Sequence, residues 1–147
     1  MRVTGIETIP AGRWLFVKVH TDEGLDGVGE SGLTGRQKTV EAAVKELERY
    51  LLGKNPLDIE HHWQSMYRNP FFRGGPILMA AISAVDTALW DIAGKWYEAP
   101  VHRLLGGPTR NRVRVYTAVP DNLPPGELAE KARGCGPGAG GERFHSG

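Results

Sequence analysis

Cysteine is almost missing from this chain of 147 residues: Cys135 stands alone, which rules out an intramolecular disulfide framework. A charge excess of one sign is missing too. The formal net charge is +1, with no basic block or acidic tail, so the electrostatics favour neither nucleic acid nor an anionic membrane surface. Long apolar runs are absent; the longest, Ile77 to Val85, contains Ser83 and is too short to span a bilayer. The N-terminus, Met1-Arg2-Val3-Thr4, leads straight into alternating sequence without the apolar stretch of a secretory signal. The expectation is a cytoplasmic protein with neither nucleic-acid nor membrane partners. What is present is ordinary for a soluble globular chain, 40% hydrophobic and 24% charged. A domain of this length buries roughly two-thirds of the surface that its unfolded chain exposes.

Val3 to Ile9 is β-branched, alternates weakly and reads as a strand. Trp14 to Thr21 alternates more clearly, with Trp14, Phe16, Lys18 and His20 on one face and Leu15, Val17 and Val19 on the other. Asp22-Glu23-Gly24 reads as a turn and Leu25 to Glu30 as a third, glycine-interrupted strand. Together they make an antiparallel meander. A helix is predicted over Gly35 to Leu52, where Val40, Val44, Leu47 and Leu51 recur at helical spacing and Glu41 stands four residues before Lys45. Gly53 and Pro56 mark its end.

A second helix is predicted from Leu57 to Arg68, stopped by Asn69-Pro70. Phe71-Phe72-Arg73-Gly74-Gly75 then reads as a loop with two exposed aromatics. Pro76 opens a third helix of about 20 residues, roughly 30 Å long. Leu78, Ile82, Val85, Leu89, Ile92 and Trp96 form its apolar stripe, and Ala80, Ala81, Ser83, Ala84 and Ala88 permit close approach by neighbours. Val113 to Val119 reads as a further strand and Pro124 to Arg133 as a weak helix start. Residues 135–147 hold five glycines without periodicity, a composition typical of GC-rich DNA read out of frame. The expectation is an unrelated Gly-rich tail over 134–147, of truncated or frame-shifted origin rather than designed flexibility.

Several motifs fail on physical grounds. Gly27-Val28-Gly29-Glu30-Ser31-Gly32 matches G-x-G-x-x-G, but no buried parallel strand precedes it and Glu30 would set a carboxylate in the phosphate cradle. The glycines are expected to serve a twisted edge strand and turn. His61 and His62 are adjacent on a helix, so they diverge by about 100° and make no metal pair; solvated or packed histidines are expected. Gly29-Glu30-Ser31-Gly32 lacks the spacing of a nucleophile elbow, and Cys135 lies in the tail. Asp86 and Asp91 diverge by about 140° on their helix. They are expected to bond neighbouring backbone or pair with Arg or Lys rather than act as paired catalytic carboxylates.

Three places carry a resemblance. Thr21-Asp22-Glu23-Gly24 leads to Gly27, Gly29 and Glu30. Ala81, Ser83, Ala84, Val85, Asp86, Ala88, Leu89, Asp91, Ile92, Gly94 and Lys95 follow on the long helix. Pro100-Val101 then precedes Leu104-Leu105-Gly106-Gly107. This spacing resembles the mandelate racemase/muconate lactonizing enzyme family of the enolase superfamily, in its N-terminal part. Arg13 to Lys18, Gly35-Arg36 with Thr39 to Val44, and Phe72 to Met79 are similar to the D-galactonate dehydratase branch of that family, with the resemblance covering about residues 1 to 133.

The resemblance implies an α+β fold. Residues 1–111 would form an enolase-like N-terminal capping domain, a three-stranded antiparallel meander plus a helical bundle. Residues 112–133 would start a truncated (β/α)8 barrel, with Val113 to Val119 as its first strand. It also implies the N-terminal fragment of a Mg²⁺-dependent acid-sugar dehydratase. In such enzymes the sugar-acid carboxylate binds Mg²⁺, a base removes the adjacent proton, and the 3-hydroxyl leaves to give a 2-keto-3-deoxy acid. The alternatives left open are a racemase, epimerase or lactonizing enzyme of the same superfamily, or a non-catalytic binding module.

Mg²⁺, an acid-sugar substrate and a homo-oligomer belong to the intact enzyme in this reading. No catalytic or metal residue is assigned to this chain, and the chain alone is expected to be inactive, because a barrel of this kind takes about 250 residues. The family's cap loops close over substrate. Here these are Pro10 to Trp14 and Ser31 to Thr34, and the substrate-pocket candidates are Arg13, Trp14, Phe72 and Arg73. Trp14 could instead be core, the two arginines could pair with surface carboxylates, and Phe72 could be a packing or subunit contact.

Overall fold

The computed structural model describes residues 1–113 and 124–134. It contains two compact units, Met1–Pro108 and Thr109–Gly147. In the first unit the alternating segments form β1 (Val3–Ala11), β2 (Trp14–Thr21) and β3 (Gly27–Ser31), an antiparallel sheet in the order β1-β2-β3. Leu15, Val17, Val19 and Thr21 are buried on one face of β2, as the alternation requires. β1 runs two residues past the expected Ile9. It is an edge strand, where Pro10 opposite Leu15 needs no ladder donor. β3 begins at Gly27 rather than Leu25, because Thr21 Oγ1 donates to the Leu25 carbonyl at 2.7 Å and holds Leu25 within the turn.

Two helices cover the sheet's buried face, α1 (Gln37–Leu51) and α3 (Pro76–Trp96); α2 (Ile59–Arg68) packs on both of them, and the short α4 (Val101–Leu104) follows α3. Val40, Val44 and Leu51 of α1 are fully buried and Leu47 partly so. Gly53 ends the helix at φ +75°, and its N–H donates to the Val3 carbonyl, returning the chain to the sheet. The expected Glu41–Lys45 pair does not form. Glu41 Oε1 accepts from Thr8 Oγ1 at 2.7 Å, while Lys45 donates to the Ile6 carbonyl and pairs with Glu48. Bonds across to the sheet, together with the i,i+3 pair of Lys45 with Glu48, replace the i,i+4 pair. α2 starts at Ile59 rather than Leu57, since Asn55 Oδ1 accepts the Leu57 N–H and keeps that residue in a turn.

α3 is the spine of the unit. Ala81, Ile82, Ala84, Val85, Ala88, Leu89, Ile92 and Ala93 are buried, whereas Leu78 and Trp96 at the two ends of the expected stripe are exposed. By length and composition α3 could cross a bilayer, which the shorter apolar run in the sequence did not indicate. In this structure its apolar face lies against β3, β2, α1 and α2.

Gly27 and Gly29 have a reason other than the expected twisted edge. A Cβ on Gly27 would stand 2.0 Å from the Ala88 carbonyl oxygen, and one on Gly29 would stand 1.9 Å from that of Ala84. The helix backbone lies directly on the strand, which only glycine permits. In the second unit, α5 (Pro125–Gly134) occupies the predicted weak helix. Most of Val113 to Val119, the expected first barrel strand, lies outside the described residues, as does the tail from residue 135.

Candidate functional site at the open end of the sheet

Ala11 pairs with Trp14, so Gly12 and Arg13 form a two-residue hairpin turn with Gly12 at φ +60°. Glycine at the first turn position suits the right-handed twist of the flanking strands. Leu15 pairs with Ser31, which puts the Ser31 to Thr34 loop at the same end of the sheet as this turn. The two loops singled out in the sequence are therefore neighbours by topology. α1 begins there as well, and Gln37 Nε2 donates to the Arg13 carbonyl at 2.9 Å, tying the turn to the helix.

At this end the Arg13 guanidinium lies over the Trp14 ring, 5.0 Å from its centroid. Trp14 is 42% exposed and so is not core. Arg13 forms no ion pair among the described residues. The arrangement is a flat cation on an aromatic plate, with a donor fork of the geometry that binds carboxylates in pairs. Ser31 closes β3 with a buried hydroxyl that has no hydrogen-bond partner among the described residues.

Phe72 and Arg73 lie elsewhere. They stand on the rim of a groove of about 320 Å³ floored by Leu47, Tyr50, Met66, Leu78 and Ile82, with Glu46 on its wall. Phe71 and Phe72 are 90% and 82% exposed and meet edge to face. Arg73 Nε donates to the Pro70 carbonyl at 3.3 Å. The four pocket candidates thus fall into two pairs, with no hydrogen bond, ion pair or ring stacking between the pairs among the described residues.

His62 and Asp91 are structural in geometry. His62 is buried; its Nε2–H donates to the Asn55 carbonyl at 2.8 Å, so Nδ1 is left to accept from the Tyr50 hydroxyl at 3.1 Å. Burial holds its imidazole below the usual histidine range. His61 is exposed. Asp91 accepts from the Val28 N–H at 2.9 Å and from Lys95 at 2.7 Å, and Lys95 also reaches the Asp26 carbonyl. Asp86 does not follow the expectation: it makes no side-chain hydrogen bond or ion pair among the described residues, and its carboxyl is pushed up by burial and then by the Glu60 carboxylate.

One cluster on the sheet's outer face lies outside the residues singled out in the sequence. Lys18 Nζ lies 2.8 Å from Asp26, while His20 stands 3.0 Å from Asp26 and 3.4 Å from Glu7. The Lys18 contact is the main cause that lowers the Asp26 carboxyl. Charged residues at alternate positions of β2 were the available signal. Among the described residues, no group of three or more histidines, cysteines or carboxylates could hold a metal ion.

Residues 2–106 match the family described as mandelate racemase / muconate lactonizing enzyme, N-terminal domain. The chain belongs to that family. A D-galactonate dehydratase of Ralstonia pickettii is 50% identical over 131 residues, covering 88% of this chain and 34% of that protein. One from Cronobacter sakazakii is 50% identical over 126 residues, covering 84% and 33%.

A solved member of the enolase superfamily from Salmonella Typhimurium superposes with a TM-score of 0.81 at 32% identity, over 91% of this chain and 39% of that one. An enolase from Pantoea ananatis with bound D-gluconate and Mg superposes with a TM-score of 0.71 at 40% identity, over 75% and 28%. The three-stranded sheet and its helices are thus the capping domain of the mandelate racemase / muconate lactonizing enzyme family. The chain spans about a third of the length of the curated relatives it matches.

Proposed function

We propose that this chain is the cap of a D-galactonate dehydratase-like enzyme, whose loops at the open end of the sheet close over an acid-sugar substrate. The observation that carries the reading is the 50% identity with D-galactonate dehydratases over 131 residues. That identity favours dehydration over racemisation, epimerisation or lactone formation within the same superfamily. The substrate class is a polyhydroxy acid, a monoanion with many hydroxyls.

In this reading Arg13 offers two parallel donors to a substrate oxygen, while the Trp14 plate restricts the guanidinium's orientation and covers the substrate's apolar C–H edge. The short turn at Gly12 leaves length for an extended polyol. Closure by these loops excludes water from the reacting carbon. The relative with bound Mg supports Mg²⁺ as the cofactor of the intact enzyme. The described residues do not fit that ion, because they bring no ligating cluster together. No step of the cap's action is therefore assigned to it, and the 147 residues alone are inactive.

Two measurements test the reading. D-galactonate incubated with the chain and Mg²⁺ yields no 2-keto-3-deoxy acid; measurable product would overturn the claim that the cap carries no catalytic centre. The coding DNA beyond codon 133, read in three frames, yields barrel strands ending in carboxylates. Absence of such a barrel in every frame would favour a binding module instead.

A further inference from the structure

The start of α1 does more at the open end of the sheet than begin a helix. No side chain caps this terminus, and no acidic residue stands in its first turn. The Gln37 amide, on the first helical residue, is engaged elsewhere: its Nε2–H donates to the Arg13 carbonyl at 2.9 Å. One residue earlier, the Arg36 N–H donates to the Leu33 carbonyl at 3.3 Å. Two successive residues thus hold the Gly12–Arg13 turn and the Ser31 to Thr34 loop, one by a side chain and one by backbone.

The turn needs a hold from outside its own hairpin. Gly12 has φ +60° with nothing within 4 Å of where a Cβ would stand, and Arg13 is exposed. The guanidinium lies over the Trp14 ring, which orders Arg13 against its neighbour but does not fix the turn against the rest of the domain. Among the described residues, the Gln37 bond is the only side-chain hydrogen bond that ties this turn to another element. It is an exposed bond, so it adds little to global stability. Its effect falls on where the turn spends its time.

We infer that Gln37 is a positioning residue: its amide holds the Gly12–Arg13 turn in the orientation that presents Arg13 at the open end of the sheet, and the start of α1 is the brace shared by both loops. The consequence for binding rests on the reading that these loops meet an acid sugar, whereas the hold itself needs no substrate. A guanidinium presented a tenth as often binds an anionic substrate about tenfold more weakly, with none of its own contacts removed.

Nitrogen-15 relaxation of the full chain tests the hold directly. In the wild type the Gly12 and Arg13 amides should be as ordered as β2, with order parameters of about 0.85. Gln37→Met keeps the length of the side chain but has no donor. It should drop these two amides below about 0.6, leave the Ser31 to Thr34 loop ordered, and leave the urea midpoint at the wild-type value. Gln64→Met is the control: it removes a similar exposed bond, from Gln64 Nε2 to Glu60 at 2.8 Å, and should not change the turn. A turn already loose in the wild type, or one still ordered in Gln37→Met, would overturn the inference. So would loosening that spreads equally through β2 with a lowered midpoint, since that is general destabilisation. Any of these results strikes the hold and leaves the acid-sugar reading in place; a coding sequence without a barrel strikes that reading and leaves the hold.

Discussion

Gly29→Ala should cost far more than an alanine on a strand usually does. A Cβ at Gly29 would lie 1.9 Å from the Ala84 carbonyl oxygen, and one at Gly27 would lie 2.0 Å from that of Ala88. Neither obstacle can rotate away, because each is the backbone of α3. The helix would have to retreat from β3 by more than an ångström, opening the contact that Ala84, Val85, Ala88 and Leu89 make with the sheet. Overpacking of this kind costs about 1–3 kcal/mol when side chains can yield, and backbone obstacles place it at or above about 3 kcal/mol.

For a domain of this size that is a fall in Tm of about 12–24 °C, a large share of the 5–15 kcal/mol or so that holds such domains folded. Urea unfolding followed by tryptophan fluorescence reads it directly. Gly32→Ala is the control: nothing lies within 4 Å of its added Cβ, so its midpoint should stay within about 0.5 kcal/mol of wild type. Ala88→Gly should not rescue Gly27→Ala, since the clash is with a carbonyl oxygen. A Gly29→Ala chain as stable as the control, or rescue by Ala88→Gly, would refute the close-approach argument.

His62→Leu removes the partner of the Asn55 carbonyl and of the Tyr50 hydroxyl at a part-buried site and should destabilise by about 1–3 kcal/mol, read as a shift in urea midpoint. Because burial depresses the folded-state pKa of His62 below 6.5, its neutral form is at full advantage above that value, and stability should drain as pH falls below it. The slope is at most about 1.4 kcal/mol per pH unit, and midpoints at pH 7.5 and 5.0 that coincide would contradict it. Asp86 has the opposite sign: its raised pKa means the folded state holds its carboxylate poorly, so Asp86→Asn should raise Tm at pH 7, with the gain shrinking toward pH 4. Asp91→Ala removes the acceptor for the Val28 N–H and the Lys95 contact at a partly exposed site, and should cost about 1 kcal/mol in the same assay.

The meander and the three long helices were legible because period-two and period-3.6 patterns report directly on burial. β2 was read to the residue, since Leu15, Val17 and Val19 carry no ambiguity. The ends were not. Leu25 sits in the turn because a Thr21 hydroxyl competes for its carbonyl, a side-chain bond that apolar patterning does not encode. Glu41 bonds Thr8 across 33 residues of sequence, so an i,i+4 rule had no view of it.

The glycines of β3 were noticed but misread, because their partner is a helix that begins more than 40 residues later. At the site, Arg13 and Trp14 came from a family resemblance rather than from spacing. The link that fixes their turn, Gln37 to the Arg13 carbonyl, joins positions 24 apart and left no pattern in the sequence.

The central claim is that this cap serves an acid-sugar dehydratase. The most direct test joins residues 1–133 to the barrel of the Ralstonia pickettii D-galactonate dehydratase in place of that enzyme's own cap, and measures kcat/KM on D-galactonate with Mg²⁺. The account requires Mg²⁺-dependent formation of the 2-keto-3-deoxy acid, with kcat/KM falling when Arg13 is replaced by Ala. A folded chimera that binds Mg²⁺ yet turns over no sugar acid, or one indifferent to Arg13→Ala, would contradict the assigned role of the cap.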